Sequence, residues 1–154
     1  MTDHTDTPTA PLARDDVTAD SPFTLPGFFA ALDDGDLLAA ICEDCGNRLV
    51  PPRPACYACG GRHLHVEEQP QTGTVVSYTE VRTPPSALAE RAPYTVAVVE
   101  LDSGARLTGR VTVPYAETDI GMPVRLTTRS LAADELELAL DHEKEWPIHE
   151  FEPA

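Results

Sequence analysis

Lysine is nearly absent from this sequence: one of the 11 basic residues is a lysine, Lys144, and the others are arginine. Against them stand 26 aspartate and glutamate residues, so the formal net charge is −15 at pH 7. Proteins hold a phosphate backbone through lysine and arginine, and this surface is therefore poorly suited to nucleic acid. Many acids with almost no lysine indicate a salt-rich cytoplasm, where about 1 M salt shortens the Debye length to about 3 Å. An acidic mesophilic protein from a GC-rich genome is the alternative interpretation.

Long apolar runs are also missing. No stretch reaches the roughly 18 apolar residues of a membrane-spanning helix, and the N-terminus has no charged-then-apolar leader. We therefore expect no membrane insertion, no export by a signal peptide and a cytoplasmic location. The apolar share of 42% is enough for a modest core, and 154 residues suit one ordinary domain or two small modules.

The cysteines are confined to one stretch, "CEDCGNRLVPPRPACYACGG", with the spacing C-x2-C-x10-C-x2-C. In each C-x2-C pair a tight turn aims two sulfurs at one point, and Gly46 and Gly60 supply the permissive backbone that such turns need. Four thiolates at about 2.3 Å from one Zn²⁺ form a closed, tetrahedral, structural site. The four predicted ligands are Cys42, Cys45, Cys56 and Cys59.

Other chemistries are compatible with four cysteines. Disulfides need an oxidising compartment, to which nothing here points. A redox C-x-x-C is a single motif beside a βαβ pattern. An iron–sulfur centre uses the same ligands, and spacing alone does not exclude it. Structural zinc is favoured, and His63 and His65 are interpreted as surface strand residues rather than ligands.

Motifs that mark an enzyme are missing as well. The sequence contains no G-x-S-x-G and no phosphate-cradling glycine loop, and a pair of carboxylates carries no information among 26 of them. The four cysteines are all assigned to the metal, so none remains to act as a nucleophile. We therefore expect a chain that is not an enzyme.

The N-terminal part divides into three stretches by composition. Residues 1–21 are polar and acidic and are predicted to form a disordered tail. Residues 22–40 form a helical segment with a short helix near 25–33, because Thr24 is a good N-cap and Pro26 suits a first turn. The zinc ribbon follows over residues 41–66.

After the cysteines, apolar residues recur with a period of two. Five or so short strands with little helix between them predict a small closed barrel or sandwich over residues 67–130. An acidic strand or tail over 131–154 completes or flanks it. The proline-rich stretch 82–93 is predicted to be a functional loop because of its length. Strands are predicted over 74–81, 94–101, 105–113 and 123–130.

Several motifs in order resemble one known family. From Phe28 to Leu126 the chain reads "FFAALDDGDLLAAICEDCG", "CGNRLVPPRPACYACG", "GTVVSYTEVRTPP", "APYTVAVVELDSGARLTGRV" and "DIGMPVRL". This order is similar to that of the zinc-ribbon/OB-fold proteins that accompany thiolases and other acyl-CoA enzymes. The resemblance implies a mostly β fold: a short N-terminal helix, a rubredoxin-like zinc ribbon and a five-stranded OB-fold barrel.

The resemblance also implies a function. Members are non-catalytic companions of thiolase-fold enzymes, in two-component β-ketothiolases or in assemblies of acetoacetyl-CoA thiolase with 3-hydroxy-3-methylglutaryl-CoA synthase. A structural zinc and a CoA thioester contacted at the partner interface are therefore expected. The run "VEEQPQTG" lacks the lysine usual before the first barrel strand, which weakens an inherited CoA-phosphate contact. The 131–154 segment also departs from the family and is interpreted as an adaptation to salt.

Two other functions compete with this one. OB barrels often bind single-stranded nucleic acid, but that needs basic residues and exposed aromatics, and aromatics are 6% of this chain. A free-standing CoA-thioester hydrolase lacks a recognisable nucleophile or base.

A companion subunit acts through contact, and interface cores favour aromatic residues and arginine. The ribbon tip, at Arg53, and the 82–93 loop are expected to face the partner. The alternative is that the phenylalanines pack internally and the tyrosines are ordinary strand residues. The predicted partner-facing residues are Phe28, Phe29, Arg53, Tyr78 and Tyr94.

Overall fold

The computed structural model describes residues 11–13, 17–18, 20–84 and 91–154. No helix in these ranges is long and apolar enough to cross a membrane. The predicted 1–21 tail falls mostly outside the described residues, and so does the centre of the predicted 82–93 loop.

The chain divides into two units, residues 1–69 and 70–154. The first contains a helix and a three-stranded sheet, and the second contains a closed five-stranded barrel. The predicted fold class, mostly β with a short N-terminal helix, a zinc ribbon and an OB-fold barrel, is confirmed.

The first helix, α1 (Leu25–Asp33), lies where it was predicted. The hydroxyl oxygen of Thr24 accepts the N–H of Gly27 at 3.3 Å, and proline occupies the first turn. The helix stops before Gly35, whose φ of 94° lies in the left-handed region. The predicted helical segment 22–40 extends too far, because residues 38–40 already belong to a strand.

The ribbon sheet consists of β1 (Leu38–Cys42) between β2 (Arg48–Leu49) and β3 (Leu64–Glu68), all antiparallel. It therefore begins and ends slightly outside the predicted 41–66. Its buried core contains Ala40, Cys42, Leu49, Cys56 and Leu64.

Leu12 packs against this ribbon core and is half-buried there. Its N–H donates to the carbonyl oxygen of Arg62 at 2.8 Å. This part of the predicted disordered tail is therefore docked.

The barrel has the order β4-β5-β6-β8-β7, and pairing of β7 with β4 closes it. β6 and β8 are parallel, and the other pairs are antiparallel. The fifth strand lies in the acidic 131–154 segment, which was expected to complete or flank the barrel. The strands are β4 (Thr72–Val81), β5 (Tyr94–Leu101), β6 (Arg106–Val111), β7 (Pro123–Arg129) and β8 (Ile148–Pro153).

Alternate strand residues fill the barrel, as the period of two requires. Phe151 of β8 is fully buried. A Cβ at Gly109 of β6 would lie 2.9 Å from the Phe151 ring, so glycine suits this position, where β8 lies beside β6. The other buried strand side chains are Val75, Thr95, Ala97, Val99, Leu101, Leu107, Val111, Val124 and Leu126.

A short helix, α2 (Ala133–Leu138), connects β7 to β8 and is anchored by a buried carboxylate. Glu135 is 4% exposed and accepts two hydrogen bonds from Arg129, at 2.7 and 3.1 Å. Arg91 lies 3.1 Å and Arg110 3.6 Å from the same carboxylate. The hydrogen bonds from Arg129 hold the pKa of Glu135 at about 2, although burial acts to raise it. We call these four residues and Glu150, which binds Arg129 at 3.2 Å, the Glu135 cluster.

Two further acids of the 131–154 segment form ion pairs inside the barrel unit. Glu150 and Glu152, both on β8, form ion pairs with Arg129 and Arg125 of the neighbouring strand β7. Together with Glu135 they tie the C-terminal segment to the barrel.

Candidate functional site

The two cysteine pairs adopt the same turn. The N–H of Gly46 donates to the carbonyl oxygen of Cys42 at 2.7 Å, and the N–H of Gly60 donates to that of Cys56 at 2.8 Å. Gly46 and Gly60 have φ values of 79° and 76°, which a residue with a Cβ rarely adopts. These turns aim both pairs of sulfurs at one point.

The four Sγ atoms lie within 4.8 Å of one another and are positioned to bind a metal. Two separations, Cys42–Cys59 and Cys45–Cys56, are 3.6 Å. A tetrahedron with Zn–S bonds of about 2.3 Å has S···S edges of about 3.8 Å, which these distances approach. A disulfide needs about 2.05 Å, and all four thiols are free. The site therefore fits zinc and does not fit the disulfide alternative.

The surroundings of Cys56 favour its thiolate. Burial acts to raise the pKa of Cys56, but backbone N–H groups of Cys59 and Ala58 outweigh it and lower the pKa to about 6. The N–H of Gly61 acts to lower the pKa of Cys59, but hydrogen bonds with neighbouring thiols raise it to about 12.

His63 and His65 both contact carboxylates. Among the described residues, the group positioned to hold a metal consists of the four cysteines. Nδ1 of His63 lies 3.1 Å from Asp44. His65 lies between Glu43, 3.0 Å from Nδ1, and Glu67, 2.6 Å from Nε2. Its side chain is 10% exposed, so it is not the surface residue that was predicted. Burial acts to lower the pKa of His65, but hydrogen bonds to Glu67 and Glu43 raise it.

Arg53 is exposed on the ribbon, as predicted, and contacts an aromatic ring that the sequence reasoning missed. Its guanidinium carbon lies 5.8 Å from the ring centroid of Tyr57, within reach of a cation–π contact. Tyr57 is 71% exposed. The sequence did contain a signal for this exposed ring. Tyr57 lies between the two ligands of a C-x2-C pair, and such a turn leaves the intervening side chains exposed to solvent.

The two phenylalanines of α1 differ in exposure. Phe28 is fully buried and offers no surface to a partner. Its prediction as a partner-facing residue is therefore not supported. Phe29 is half-buried and contacts the Phe28 ring edge-on, with centroids 5.3 Å apart. Phe29 therefore remains accessible.

The two predicted tyrosines are half-buried on the barrel unit. The Tyr78 ring lies against Tyr115, with centroids 5.1 Å apart, and Tyr115 is 44% exposed. The guanidinium carbon of Arg110 lies 5.7 Å from the ring centroid of Tyr94. Arg53 and Phe29 belong to the other unit.

A ribbon with four convergent cysteines, followed by a closed five-stranded barrel, defines a zinc-ribbon/OB-fold protein. Two family models match the chain: "ChsH2, rubredoxin-like zinc ribbon domain" over residues 29–65 and "ChsH2, C-terminal OB-fold domain" over residues 66–129. The chain belongs to the DUF35 family of zinc-ribbon/OB-fold proteins. Strand β8 lies beyond the matched residues.

Curated relatives support this assignment. A DUF35 domain-containing scaffold protein of Pyrococcus furiosus is 36% identical over 96 residues, which are 62% of this chain and 70% of that protein. One of Methanocaldococcus jannaschii is 34% identical over 64% of this chain and 71% of its own. A probable enoyl-CoA hydratase alpha subunit of Thermomonospora curvata is 38% identical over 64% of this chain but 31% of its own length.

Solved structures agree with the fold. A chain of the structure named "Ltp2-ChsH2(DUF35) aldolase" is 30% identical, with a TM-score of 0.62 over 82% of this chain and 91% of its own. A DUF35 protein of unknown function from Sulfolobus solfataricus is 14% identical, with a TM-score of 0.50 over 83% of both chains, and shares the fold.

Proposed function

We propose that this chain is a non-catalytic companion, or scaffold, subunit of a thiolase-like acyl-CoA enzyme. The enzyme is of the kind found in two-component β-ketothiolases or in thiolase/3-hydroxy-3-methylglutaryl-CoA synthase assemblies. The observation that carries the proposal is the match to 91% of a DUF35 chain from a structure named for an aldolase with Ltp2. The hydratase-subunit name of the Thermomonospora relative supports it.

The metal site supports a structural role. Four cysteines complete the shell of a zinc ion and leave no position for water or substrate. A zinc ion bound there holds the two turns together, and the reacting groups belong to the partner. We place the complex in a salt-rich cytoplasm, consistent with the net charge of −15.

Ion pairing in the barrel unit argues against nucleic acid as the ligand. Each of its six arginines already lies within 4.0 Å of a carboxylate, which would compete with a phosphate. The pairs are Arg82–Glu80, Arg91–Asp134, Arg106–Glu100, Arg110–Glu135, Arg125–Glu152 and Arg129–Glu135.

Arg53 has no carboxylate partner among the described residues, which supports its place in the partner interface. In the ribbon unit, the proposed partner-facing residues are Arg53, Tyr57 and Phe29. In the barrel unit, they are Tyr78 and Tyr94. A CoA thioester on the enzyme would be contacted at this interface.

Arg53→Ala should therefore weaken binding to the acyl-CoA enzyme by about 1–3 kcal/mol and leave the melting temperature unchanged. Arg106→Ala is the matched control, since Arg106 is exposed but bound to Glu100 at 3.3 Å. Titration of both variants with the enzyme measures the difference. Equal affinities for Arg53→Ala, Arg106→Ala and wild type would place the interface elsewhere.

The test of the function itself is affinity purification of the tagged chain from its source cells in molar salt. A thiolase-fold acyl-CoA enzyme should co-purify in a fixed ratio and be identified by mass spectrometry. Recovery with nucleic-acid-processing proteins instead, or of the chain alone, would contradict the proposal.

A further inference from the structure

A nearly buried histidine lies on the outer face of the ribbon sheet. Leu64 belongs to the ribbon core, so His65, the next residue of β3, faces the opposite side of the sheet. Its side chain is nevertheless only 10% exposed, and a carboxylate lies at each nitrogen of its ring. Glu43 is 3.0 Å from Nδ1, and Glu67 is 2.6 Å from Nε2. His65 therefore bridges two acids.

The two contacts determine the charge of the ring. An ionised carboxylate accepts hydrogen bonds and donates none. Both nitrogens of His65 must therefore carry a proton, because a neutral ring would turn a lone pair towards one of the carboxylates. Hydrogen bonds between charged groups are shorter and stronger than neutral ones. The imidazolium of His65 thus holds both acids firmly.

Glu43 belongs to the first cysteine turn, residues 42–46. It directly follows the predicted ligand Cys42, and its N–H donates to the carbonyl oxygen of His63 at 2.8 Å. The backbone of Glu43 is therefore attached to the chain just before β3, and its side chain is attached to His65 on β3. The bridge fixes the first cysteine turn to this strand.

Glu67 extends the bridge across the sheet. It lies 3.7 Å from Nη1 of Arg48 on β2. In the strand register, Ile41 of β1 is paired with Arg48 on one side and with His65 on the other. Charged side chains thus connect β2 with β3 on this face of the sheet, over the central strand β1.

We propose that His65 is a positioning residue for the metal site. By holding Glu43, it keeps the sulfurs of Cys42 and Cys45 aimed at the point where the other two sulfurs converge. His65 is not itself a ligand, because carboxylates occupy both of its nitrogens. The inference concerns the ribbon unit alone and does not rest on the proposed function.

The first test measures the rate at which excess chelator removes zinc from the full-length chain at constant pH and salt. His65→Gln should release zinc about 10-fold faster or more, the usual effect of removing a group that orients a metal ligand. His63→Gln is the matched control, since His63 contacts Asp44 of the same turn at 3.1 Å but in an exposed pair, which contributes little. It should stay within about threefold of wild type. A His65→Gln rate in that range would overturn the inference.

A second variant tests the route of the effect. If His65 acts through Glu43, then Glu43→Gln should also speed zinc release, and the double variant should be no faster than the faster single variant. Glu43→Gln releasing zinc at the wild-type rate, or two effects that multiply in the double variant, would contradict this route.

Co²⁺ bound in place of zinc gives a readout that the stability of the ribbon alone does not move. Its visible absorption bands depend on the arrangement of the four ligands. Both His65→Gln and Glu43→Gln should keep the thiolate charge-transfer absorption and shift the d–d bands, and His63→Gln should show the wild-type spectrum. If His65→Gln does not fold, Glu43→Gln decides alone. Wild-type d–d bands in variants that release zinc faster would assign the effect to ribbon stability and overturn the positioning role.

Discussion

Cys56 is the cysteine through which the metal site is best tested, because it is a buried part of the ribbon core. Cys56→Ser should lose the metal and unfold the ribbon, since metal binding supplies much of the folding free energy of such modules. The barrel unit should stay folded because it has a hydrophobic core separate from that of the ribbon. We expect one zinc per chain in wild type and in the control Ala58→Ser, and almost none in Cys56→Ser, by elemental analysis. Wild-type protein that is purified without a chelator and contains far less than one equivalent of zinc would contradict this prediction.

Glu135 makes the stability of the barrel unit depend on pH. Its pKa is about 2 in the folded chain, below its ordinary value of 4.5, so its stabilisation is fully present above about pH 4.5. That stabilisation is lost as the pH falls towards 2. The charged groups that face it are Arg91, Arg110, Arg129, Asp134 and Glu150.

Glu135→Gln should therefore destabilise the barrel by about 3 kcal/mol at pH 6, since it removes the buried charge that three half-buried arginines share. The difference from wild type should shrink as the pH is lowered to 3. Urea unfolding followed by the fluorescence of Trp146, the one tryptophan and part of the barrel unit, measures this. The exposed neighbour Glu137→Gln is the control. A difference that does not change with pH would assign the effect to packing.

Single residues were predictable where their chemistry is local in sequence. The spacing of the cysteines predicts four convergent sulfurs because each pair is one turn. Glu135 was not predictable, since its arginines come from residues 91, 110 and 129 and any pair among 26 carboxylates is uninformative. The burial of Phe28 and the exposure of Tyr57 likewise depend on tertiary packing.

The helices and strands were likewise predictable where the signal is local in sequence and not where it depends on tertiary packing. Helix α1 was predicted because its N-cap and its proline lie in the sequence itself. Strand β8 was expected only as completing or flanking the barrel, because its parallel pairing with β6 joins residues about forty apart, Arg110 with Glu150. Helix α2 carries no apolar stripe towards the core, so the periodicity from which helices are inferred was missing.

The docked N-terminal segment makes a prediction at the scale of elements. Leu12→Ser should destabilise the ribbon by about 1 kcal/mol, because Leu12 is half-buried against the ribbon core. Leu25→Ser is the control, since Leu25 is 49% exposed at the start of α1. The rate at which a chelator removes zinc reports ribbon opening, and it should rise for Leu12→Ser alone. Equal rates for both variants would show that the Leu12 contact does not stabilise the ribbon.

At the scale of the whole molecule, the four cysteines are positioned to bind a metal. The arginines of the barrel unit form ion pairs with carboxylates. Arg53 and Tyr57 lie exposed on the ribbon and contact each other. This organisation supports the proposal that the molecule acts by binding another protein. Under the proposed function, that protein is an acyl-CoA enzyme.

One measurement tests this claim most directly: thioester turnover by the isolated chain, by the purified acyl-CoA enzyme and by the two together, in high salt. The account predicts no turnover of acetyl-CoA or acetoacetyl-CoA by the chain alone. Turnover by the reconstituted complex should be abolished when the nucleophile of the enzyme is replaced. Turnover by a homogeneous preparation of this chain, abolished by a point mutation within it, would contradict the account.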